Sequence, residues 1–429
     1  MARSKAHPNN KELFPATDLI ELSERTKDFI KFLKNFRDFG EDTRIEEVDK
    51  AGNHPIRYFI NEFWTSKQRA GSPLHEISYR ACFKPQLPAF FIERLTQPGD
   101  HVFDPFLGRG TTALEAVRLG RKGSGNDANP LSSILLEPRL SPPGIEAIQQ
   151  RLESLDLEFK GKIQAELLAF FHPKTLQEIH ALRQYFIERE AAGELDVIDR
   201  WIRMVATNRL TGHSPGFFSV YTLPPNQAVS VARQEKINKD RAQIPPERDV
   251  QKIILKKTKN LLKGIESEEL EAMRGAAEGG DLICASADQV GEVADASVDL
   301  VVTSPPFLAT VDYKGDNWLR CWFNNIDADA VNFWQFRKVE DWVEKMTATF
   351  AELHRIVKPG GYVAFEVGEV NKGKVLLEQE LVPVVERSGF IPILVLINEQ
   401  DFTKTSNAWG VSNQEKGTNT NRVLLLERK

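Results

Sequence analysis

Apolar, strand-like segments alternate with helical patterns in two separate stretches of this chain, and this alternation restricts the possible fold more than any other sequence feature. In the first stretch, HVFDPF from His101 precedes a glycine-containing turn, the helical pattern TALEAVRLG and the strand-like KGSGND. In the second, ASVDLVVTSPPF precedes a helical pattern at about 340–357, the strand YVAFEVG, a helical pattern at about 376–388, and the strands ILVLI and RVLLLER. Such alternation is typical of a doubly wound sheet, so we predict a Rossmann-like α/β fold.

A mainly helical segment separates the two α/β stretches. The runs IEAIQQRLESL, PKTLQEIHALRQYFIERE and DVIDRWIRMVA place apolar residues three and four positions apart, as amphipathic helices do. Near the N-terminus, a similar pattern predicts a helix at about 18–39. We therefore predict an N-terminal helical extension over 1–70, an α/β domain made of 71–142 and 281–429, and an inserted helical domain over 143–280.

Composition narrows the class of protein. The 429 residues carry a net charge of −5 and three cysteines (Cys82, Cys284 and Cys321), too few for a disulfide framework or a four-thiolate zinc site. No apolar run approaches the ~20 residues of a membrane helix, and the N-terminus lacks the apolar core of a secretory signal. No His, Cys and Asp cluster has metal-ligand spacing. We expect a reduced, cytoplasmic protein without a metal, whose contact with any polyanion depends on a local basic patch.

A glycine loop, Asp104-Pro-Phe-Leu-Gly-Arg-Gly110-Thr-Thr, joins the first predicted strand to a helix. Glycines let a ligand approach the backbone, and a helix N-terminus offers free N–H groups. Asp127 ends the next strand, where a carboxylate can accept both ribose hydroxyls of a nucleotide-like cofactor. The third glycine of the dinucleotide fingerprint is absent, and no P-loop lysine follows. A tight turn without a ligand is the alternative; an adenosine cofactor without phosphates, S-adenosylmethionine, fits better.

The tetrapeptide Ser304-Pro305-Pro306-Phe307 follows the strand VDLVV, at the sheet edge where α/β proteins bind ligands. Two prolines remove two N–H donors and leave carbonyl acceptors. The Ser304 hydroxyl and the Pro305 carbonyl would accept the two N–H groups of an exocyclic base amine, making its nitrogen more nucleophilic. Phe307 would stack on a base flipped out of its duplex. The alternative is a strand-ending turn with an incidental aromatic residue.

Together, DPFLGRGTT and SPPF resemble the amino-group DNA methyltransferases of bacteria and phages, which methylate cytosine N4 or adenine N6 with S-adenosylmethionine. FKPQLP, VDYKGDNWLRCWF and GTNTNRVLLLERK are similar to segments of the same family, and the resemblance covers about 72–140 and 280–429. It implies that the α/β domain is a methyltransferase catalytic domain. Two features depart from the family pattern, namely Arg109 in the glycine loop and the early position of the insertion.

The resemblance also implies roles for matching residues. The base site would be Ser304, Pro305, Pro306 and Phe307. The cofactor site would be Lys84, Asp104, Phe106, Gly108, Gly110, Thr111, Asp127 and Asp288.

The insertion holds the strongest positive stretch. Residues 231–263 contain ten Lys or Arg against four acids, enough to neutralise phosphates, although a solvated helix face is the alternative. Loop residues upstream would read base edges or wedge a base step, or pack within the domain. The tentative DNA-binding residues are Lys252, Lys256, Lys257, Lys259, Phe217, Phe218 and Asn226.

The sequence also bears on which atom of the base would receive the methyl group. None of the three cysteines follows a proline, which disfavours the nucleophile of cytosine-C5 methylation. Within the resembled family SPP is commoner among cytosine-N4 enzymes, so we expect cytosine N4 in double-stranded DNA. Adenine N6, an RNA base, and a non-catalytic DNA-binding protein on this fold stay as alternatives. The resemblance also raises the expectation of a cognate restriction endonuclease and of a nucleoid location.

Overall fold

The computed structural model describes residues 22–48, 55–65, 71–223, 228–306, 308, 311–367, 369–370, 375–399 and 420–429. Within these ranges, no helix is long and apolar enough to cross a membrane. The described residues also contain no group of three or more His, Cys, Asp or Glu side chains that could hold a metal ion.

A nine-stranded mixed sheet forms the centre of the molecule, in the order β1-β2-β10-β11-β7-β6-β3-β4-β5. Its strands are β1 (Arg44–Val48), β2 (Ile56–Asn61), β3 (His101–Asp104), β4 (Lys122–Asn126), β5 (Leu282–Ile283), β6 (Val298–Thr303), β7 (Val357–Val367), β10 (Phe390–Glu399) and β11 (Thr420–Arg428). β8 (Glu369–Val370) and β9 (Val375–Leu376) form a separate pair. The five strands from β7 to β5 are parallel, and β11 runs antiparallel to both of its neighbours. This order confirms the predicted doubly wound, Rossmann-like sheet.

Thirteen α-helices surround the sheet in the described part of the chain. They are α1 (Glu24–Lys34), α2 (Gln86–Leu95), α3 (Thr111–Arg118), α4 (Leu131–Leu140), α5 (Ile145–Ser154), α6 (Pro173–Ala191), α7 (Val197–Arg209), α8 (Val231–Asp240), α9 (Val250–Leu261), α10 (Ser267–Ala277), α11 (Tyr313–Phe323), α12 (Val339–Ile356) and α13 (Leu377–Arg387). Pro73–His75 and Ala165–Ala169 are short 3₁₀ helices.

Because side chains alternate along the strands, the sheet has a separate hydrophobic core on each of its two faces. On β3 and β6, Val102 and Leu300 face the helices α1 and α2, whereas Phe103 and Val301 face α12 and α13. Because successive strand side chains point to opposite faces, strands buried on both sides read as continuous apolar runs. This is why the sequence pattern located them.

The N-terminal segment was predicted to be a helical extension, but it also contributes two strands to the sheet. α1 lies inside the predicted helix, but β1 and β2 follow it and extend the sheet, with β2 parallel to β10. The apolar run IRYFIN pairs with a strand more than 300 residues away, and a local sequence pattern cannot predict such a contact.

The helical insertion shares a core with the α/β part. α5, α6, α7 and α9 bury their apolar faces in one cluster with residues of α3, α4 and α11. At its centre Trp201 is fully buried, and its Nε1 donates to Thr258 Oγ1 at 3.0 Å. The insertion therefore packs on the β4 side of the sheet beside α3 and α4.

Candidate active site

The carboxyl ends of β3, β4 and β6 bring Asp104, Asp127 and Ser304 to one pocket, whose space together with its solvent-open mouth is about 810 Å³. The chain leaves β3 and β6 on either side of the point where the strand order reverses, which is where open α/β sheets bind their ligands. We call this the switch-point pocket. Of the predicted cofactor residues, Asp104, Phe106, Gly108, Thr111 and Asp127 line it.

Asp127 is held by the backbone of the glycine loop. The Gly108 N–H donates to Asp127 Oδ2 at 2.7 Å, and the Asn129 N–H donates to Oδ1 at 2.9 Å. Gly108 has φ +53°, a conformation that L side chains rarely adopt. Burial raises the pKa of Asp127, while these two backbone donors lower it. Each carboxylate oxygen keeps a lone pair that can accept a hydroxyl group.

Asp104 lies deeper, at 2% exposure, where the Thr303 hydroxyl donates to Oδ1 at 2.6 Å and the Phe106 N–H donates at 3.0 Å. Burial raises its pKa to about 7, and the Thr303 hydrogen bond opposes that shift. Two carboxyl groups at one pocket favour a cationic ligand over a polyphosphate.

Gly110 shapes the loop without lining the pocket. It precedes α3 with φ +78°, and a Cβ there would lie 2.6 Å from Leu136 Cδ2 on α4. A side chain at 110 would thus require both a strained backbone and a displaced helix.

Arg109, one of the two departures from the family pattern, is buried and holds the glycine loop in place through hydrogen bonds. Its guanidinium donates to the carbonyls of His75, Ile77 and Phe83 and to the Thr111 hydroxyl, at 2.9–3.2 Å. These bonds tie the glycine loop to the segment before α2.

Like Gly110, two further predicted cofactor residues do not line the pocket. Lys84 lines a separate polar pocket described below. Asp288 accepts hydrogen bonds from Lys345 and Ser286, and Lys345 in turn lies 4.7 Å from the Trp334 ring centre. Trp334 contacts Phe106 and lines the pocket, so Asp288 is connected to the pocket wall through Lys345 and Trp334.

The Ser304–Pro306 turn faces the same pocket. Ser304 and Pro306 line it, whereas Pro305 is buried outside its lining. The Pro306 carbonyl accepts from Trp342 Nε1 at 3.1 Å, which fixes the turn to α12. The Ser304 Oγ is buried and has no hydrogen-bond partner of good geometry in the described part of the chain. Phe307, the predicted stacking residue, lies outside the described residues.

Sequence reasoning missed Glu366, near the end of β7. Its carboxyl group is 7% exposed, accepts from Asn421 Nδ2 and lies beside the Ser304 side chain. Burial raises its pKa to about 7 against the opposing effects of Asn421 and Ser304. The sequence feature that could have identified Glu366 is the occurrence of an acidic residue within the apolar run YVAFEV.

The aromatic lining was also missed. Tyr79, Tyr313 and the segment 332–334 complete the pocket wall, and burial raises the pKa of both phenols. Tyr313 belongs to VDYKGDNW, which the resemblance had already singled out; Asn332–Trp334 carried no sequence signal.

The predicted DNA-binding residues do not form one surface. Lys252, Lys256 and Lys259 are exposed along α9, and we call them the α9 stripe. Lys257 is 8% exposed on the other side of the helix and pairs with Glu76 at 3.4 Å. Phe217 and Phe218 are buried, with the Arg209 guanidinium 4.0 Å from the Phe217 ring centre, as the packing alternative predicts. Asn226 lies outside the described residues.

Comparison with known proteins supports the resemblance drawn from the motifs. Residues 2–137 match a family model of amino-group methyltransferases described as DNA methylase. The chain is 33% identical over 84 residues to the Type II methyltransferase M.MjaII of Methanocaldococcus jannaschii, covering 20% of this chain and 16% of that protein. It is 31% identical over 118 residues to the Type II methyltransferase M.BsoBI of Geobacillus stearothermophilus, covering 27% and 21%.

A solved S-adenosylmethionine-dependent methyltransferase from Methanosarcina mazei is 11% identical, covering 79% of this chain and 96% of that one, with a TM-score of 0.32, which is too low to add to the fold assignment. The chain spans about a fifth of the length of the two Type II relatives it matches. These matches confirm the resemblance to amino-group DNA methyltransferases, and they support S-adenosylmethionine as the methyl donor.

Proposed function

We propose that this chain, whose first third matches the DNA methylase family, transfers a methyl group from S-adenosylmethionine to an exocyclic amine in double-stranded DNA, with cytosine N4 as the acceptor. The observation that carries this proposal is the Ser304 hydroxyl. It is buried, interacts with the Glu366 carboxyl group without a hydrogen bond of good geometry among the described residues, and belongs to a residue that lines the pocket that also holds Asp104 and Asp127. A buried polar group without a partner costs free energy unless a ligand supplies one.

The pocket fits the cofactor. Asp127 would accept the ribose hydroxyls, and the Gly108 turn leaves room at the backbone for the methionyl part. The carboxyl group of Asp104 favours a sulfonium cation, and the mostly apolar lining suits an adenine ring. When bound, S-adenosylmethionine supplies an electrophilic methyl group.

The residues of the turn would prepare the base. The Ser304 Oγ and the Pro305 carbonyl would accept the two N–H groups of the amine, which holds the nitrogen in line with the methyl group. The nitrogen must lose a proton as the new bond forms. Ser304 would take that proton while its own hydroxyl proton passes to the neighbouring Glu366 carboxylate.

DNA would reach the pocket through contacts to its backbone. The α9 stripe presents three exposed ammonium groups on one side of a helix, where they would neutralise phosphates without reading sequence. Recognition of a particular sequence would then come from other residues of the insertion or its loops.

The direct test is sequencing the DNA of cells that express the protein, with detection of modified bases. We expect N4-methylcytosine at one recurring sequence, absent in cells that express Ser304→Ala. Ser388→Ala, which removes a hydroxyl on the residue that follows α13, outside the pocket, is the control and should leave methylation intact. N6-methyladenine in place of N4-methylcytosine would change the acceptor, and unmodified DNA would overturn the proposal.

A further inference from the structure

A second, polar pocket lies beside the switch-point pocket, and nothing in the proposed reaction uses it. The two pockets share Tyr79, Ala81 and Cys82 in their walls. The second one joins the segment before α2 to the insertion through α7 and α9. Its charged lining consists of Glu76, Lys84, Arg109, Arg209 and Lys257, and we call it the cationic pocket.

Four cations and one carboxylate face this space among the described lining residues. Arg109, Arg209 and Lys257 are each no more than 9% exposed, whereas the carboxylate of Glu76 is 50% exposed. Arg109 is committed to backbone carbonyls, and the Arg209 Nε and Nη2 donate to Asn208.

Burial and mutual repulsion show in the pKa values of these cations. Burial and then Arg209 lower the pKa of Lys257 to about 8. Burial and then Arg320 lower the pKa of Arg209 to about 10. Burial and then Arg109 lower the pKa of Lys84, and no carboxylate among the described residues offsets this. One half-exposed carboxylate only partly neutralises these four cations, which costs free energy, and an anion held among them would reduce that cost.

We infer that the cationic pocket binds one phosphate group of the DNA backbone beside the nucleotide to be methylated. Lys84, Arg209 and Lys257 would provide the charge, and the shared wall of Tyr79 to Cys82 would place the phosphate next to a base in the switch-point pocket. A phosphodiester suits the site because its anionic oxygens match several convergent cationic donors. The identity of the anion as DNA rests on the proposed function; the existence of the anion site does not.

The anion site can be tested without DNA. Dimethyl phosphate, a phosphodiester monoanion, is titrated into the full chain and followed by calorimetry or phosphorus NMR. We expect saturable binding that Lys257→Met weakens about tenfold, as for one lost charge-assisted hydrogen bond. Lys34→Met removes the same charge from the exposed end of α1, outside both pockets and the α9 stripe, and should leave this affinity unchanged. Equal affinities in all three proteins, or no binding, would overturn the inference.

Measuring the affinity for dimethyl phosphate at several pH values tests whether the charge of Lys257 contributes to binding. The charged groups that face Lys257 are Glu76, Arg209 and Arg139. Because Lys257 loses its proton as pH rises through about 8, dimethyl phosphate should bind more weakly above that pH, and Lys257→Met should remove this dependence. A wild-type affinity independent of pH between about 7 and 9 would count against Lys257 as a ligand.

Binding to duplex DNA then identifies the source of the phosphate. One lost phosphate contact reduces the slope of log affinity against log salt by about one unit, and we expect that change for Lys257→Met. An unchanged slope with weakened dimethyl phosphate binding would show a pocket for free anions and overturn the DNA assignment. Cells whose DNA carries no methylated base, with both pocket results intact, would refute the proposed reaction and leave the anion site standing.

Discussion

Burial raises the pKa of two carboxyl groups to about 7, that of Asp104 in the lining of the switch-point pocket and that of Glu366 beside Ser304. The two should respond differently to substitution. For Asp104 the folded pKa of about 7 lies above the unfolded value of about 4, so the free energy of unfolding falls as pH rises from about 4 to about 7 and then levels off. Asp104→Asn should therefore raise the free energy of unfolding by about 1 to 3 kcal/mol at pH 8 and by much less at about pH 5. Denaturant titrations at both pH values measure this, and an equal effect at the two would contradict it.

Glu366 should instead control the rate. If it accepts the proton that leaves the base, kcat should rise with pH as the carboxyl group ionises at a pKa of about 7. Glu366→Gln should lower kcat by about a hundredfold or more and remove that rise, while the Kd for S-adenosylmethionine stays the same. Glu427→Gln, which replaces another buried carboxyl group outside the pocket, serves as the control. A Glu366→Gln enzyme with the wild-type pH profile would exclude this role.

The positions of the glycine-loop residues could be predicted from sequence, because the strands and helices that place them are adjacent to them in the chain. Asp104, Gly108 and Asp127 follow strands of one parallel sheet and must meet at its edge. Lys84 and Lys257 were assigned to a cofactor site and a DNA surface, and they lie in a common pocket. Their meeting depends on how the insertion packs, which short-range patterns do not encode.

At the scale of elements, α9 makes a specific prediction. Lys252, Lys256 and Lys259 are exposed on this helix, so changing all three to Ala should weaken binding to every DNA sequence alike. The salt slope should fall by up to about three units, one for each phosphate contact. The triple Lys→Arg variant keeps the charge and should bind nearly as the wild type does. Unaltered binding of the Ala variant at all salt concentrations would make the stripe an ordinary solvated face.

Helices and strands with strong apolar periodicity were predicted within a few residues, as α12 and β6 show. Three features escaped the pattern. VDYKGDNWLRCWF forms α11, β1 and β2 extend the sheet, and the segment KPGG, whose composition is typical of a turn, lies within β7. β2 gains its hydrogen bonds from β10 and β7 from β6 and β11, so distant pairing decides these segments.

For the molecule as a whole, the core that the insertion shares with α3, α4 and α11 predicts cooperative unfolding. Arg203 of α7 donates to Asn324 after α11, at 2.8 Å to its side chain and 3.2 Å to its carbonyl, and both elements bury apolar residues in the same cluster. Hydrogen exchange in increasing denaturant should show α7 and β6 opening together. Deletion of 143–280 should abolish folding. Earlier opening of α7 by several kcal/mol would instead describe an independent domain.

In the proposed reaction, the acceptors of the Ser304–Pro306 turn should also limit how many methyl groups one amine receives. The Trp342 indole holds the Pro306 carbonyl toward α12, and the proposed acceptors of the turn are the Ser304 hydroxyl and the Pro305 carbonyl, one for each N–H of a primary amine. A singly methylated amine has only one N–H left, so it leaves an acceptor unsatisfied and presents a methyl group to a polar neighbour. The site should consequently reject its own product, and modification should stop after one turnover at each base.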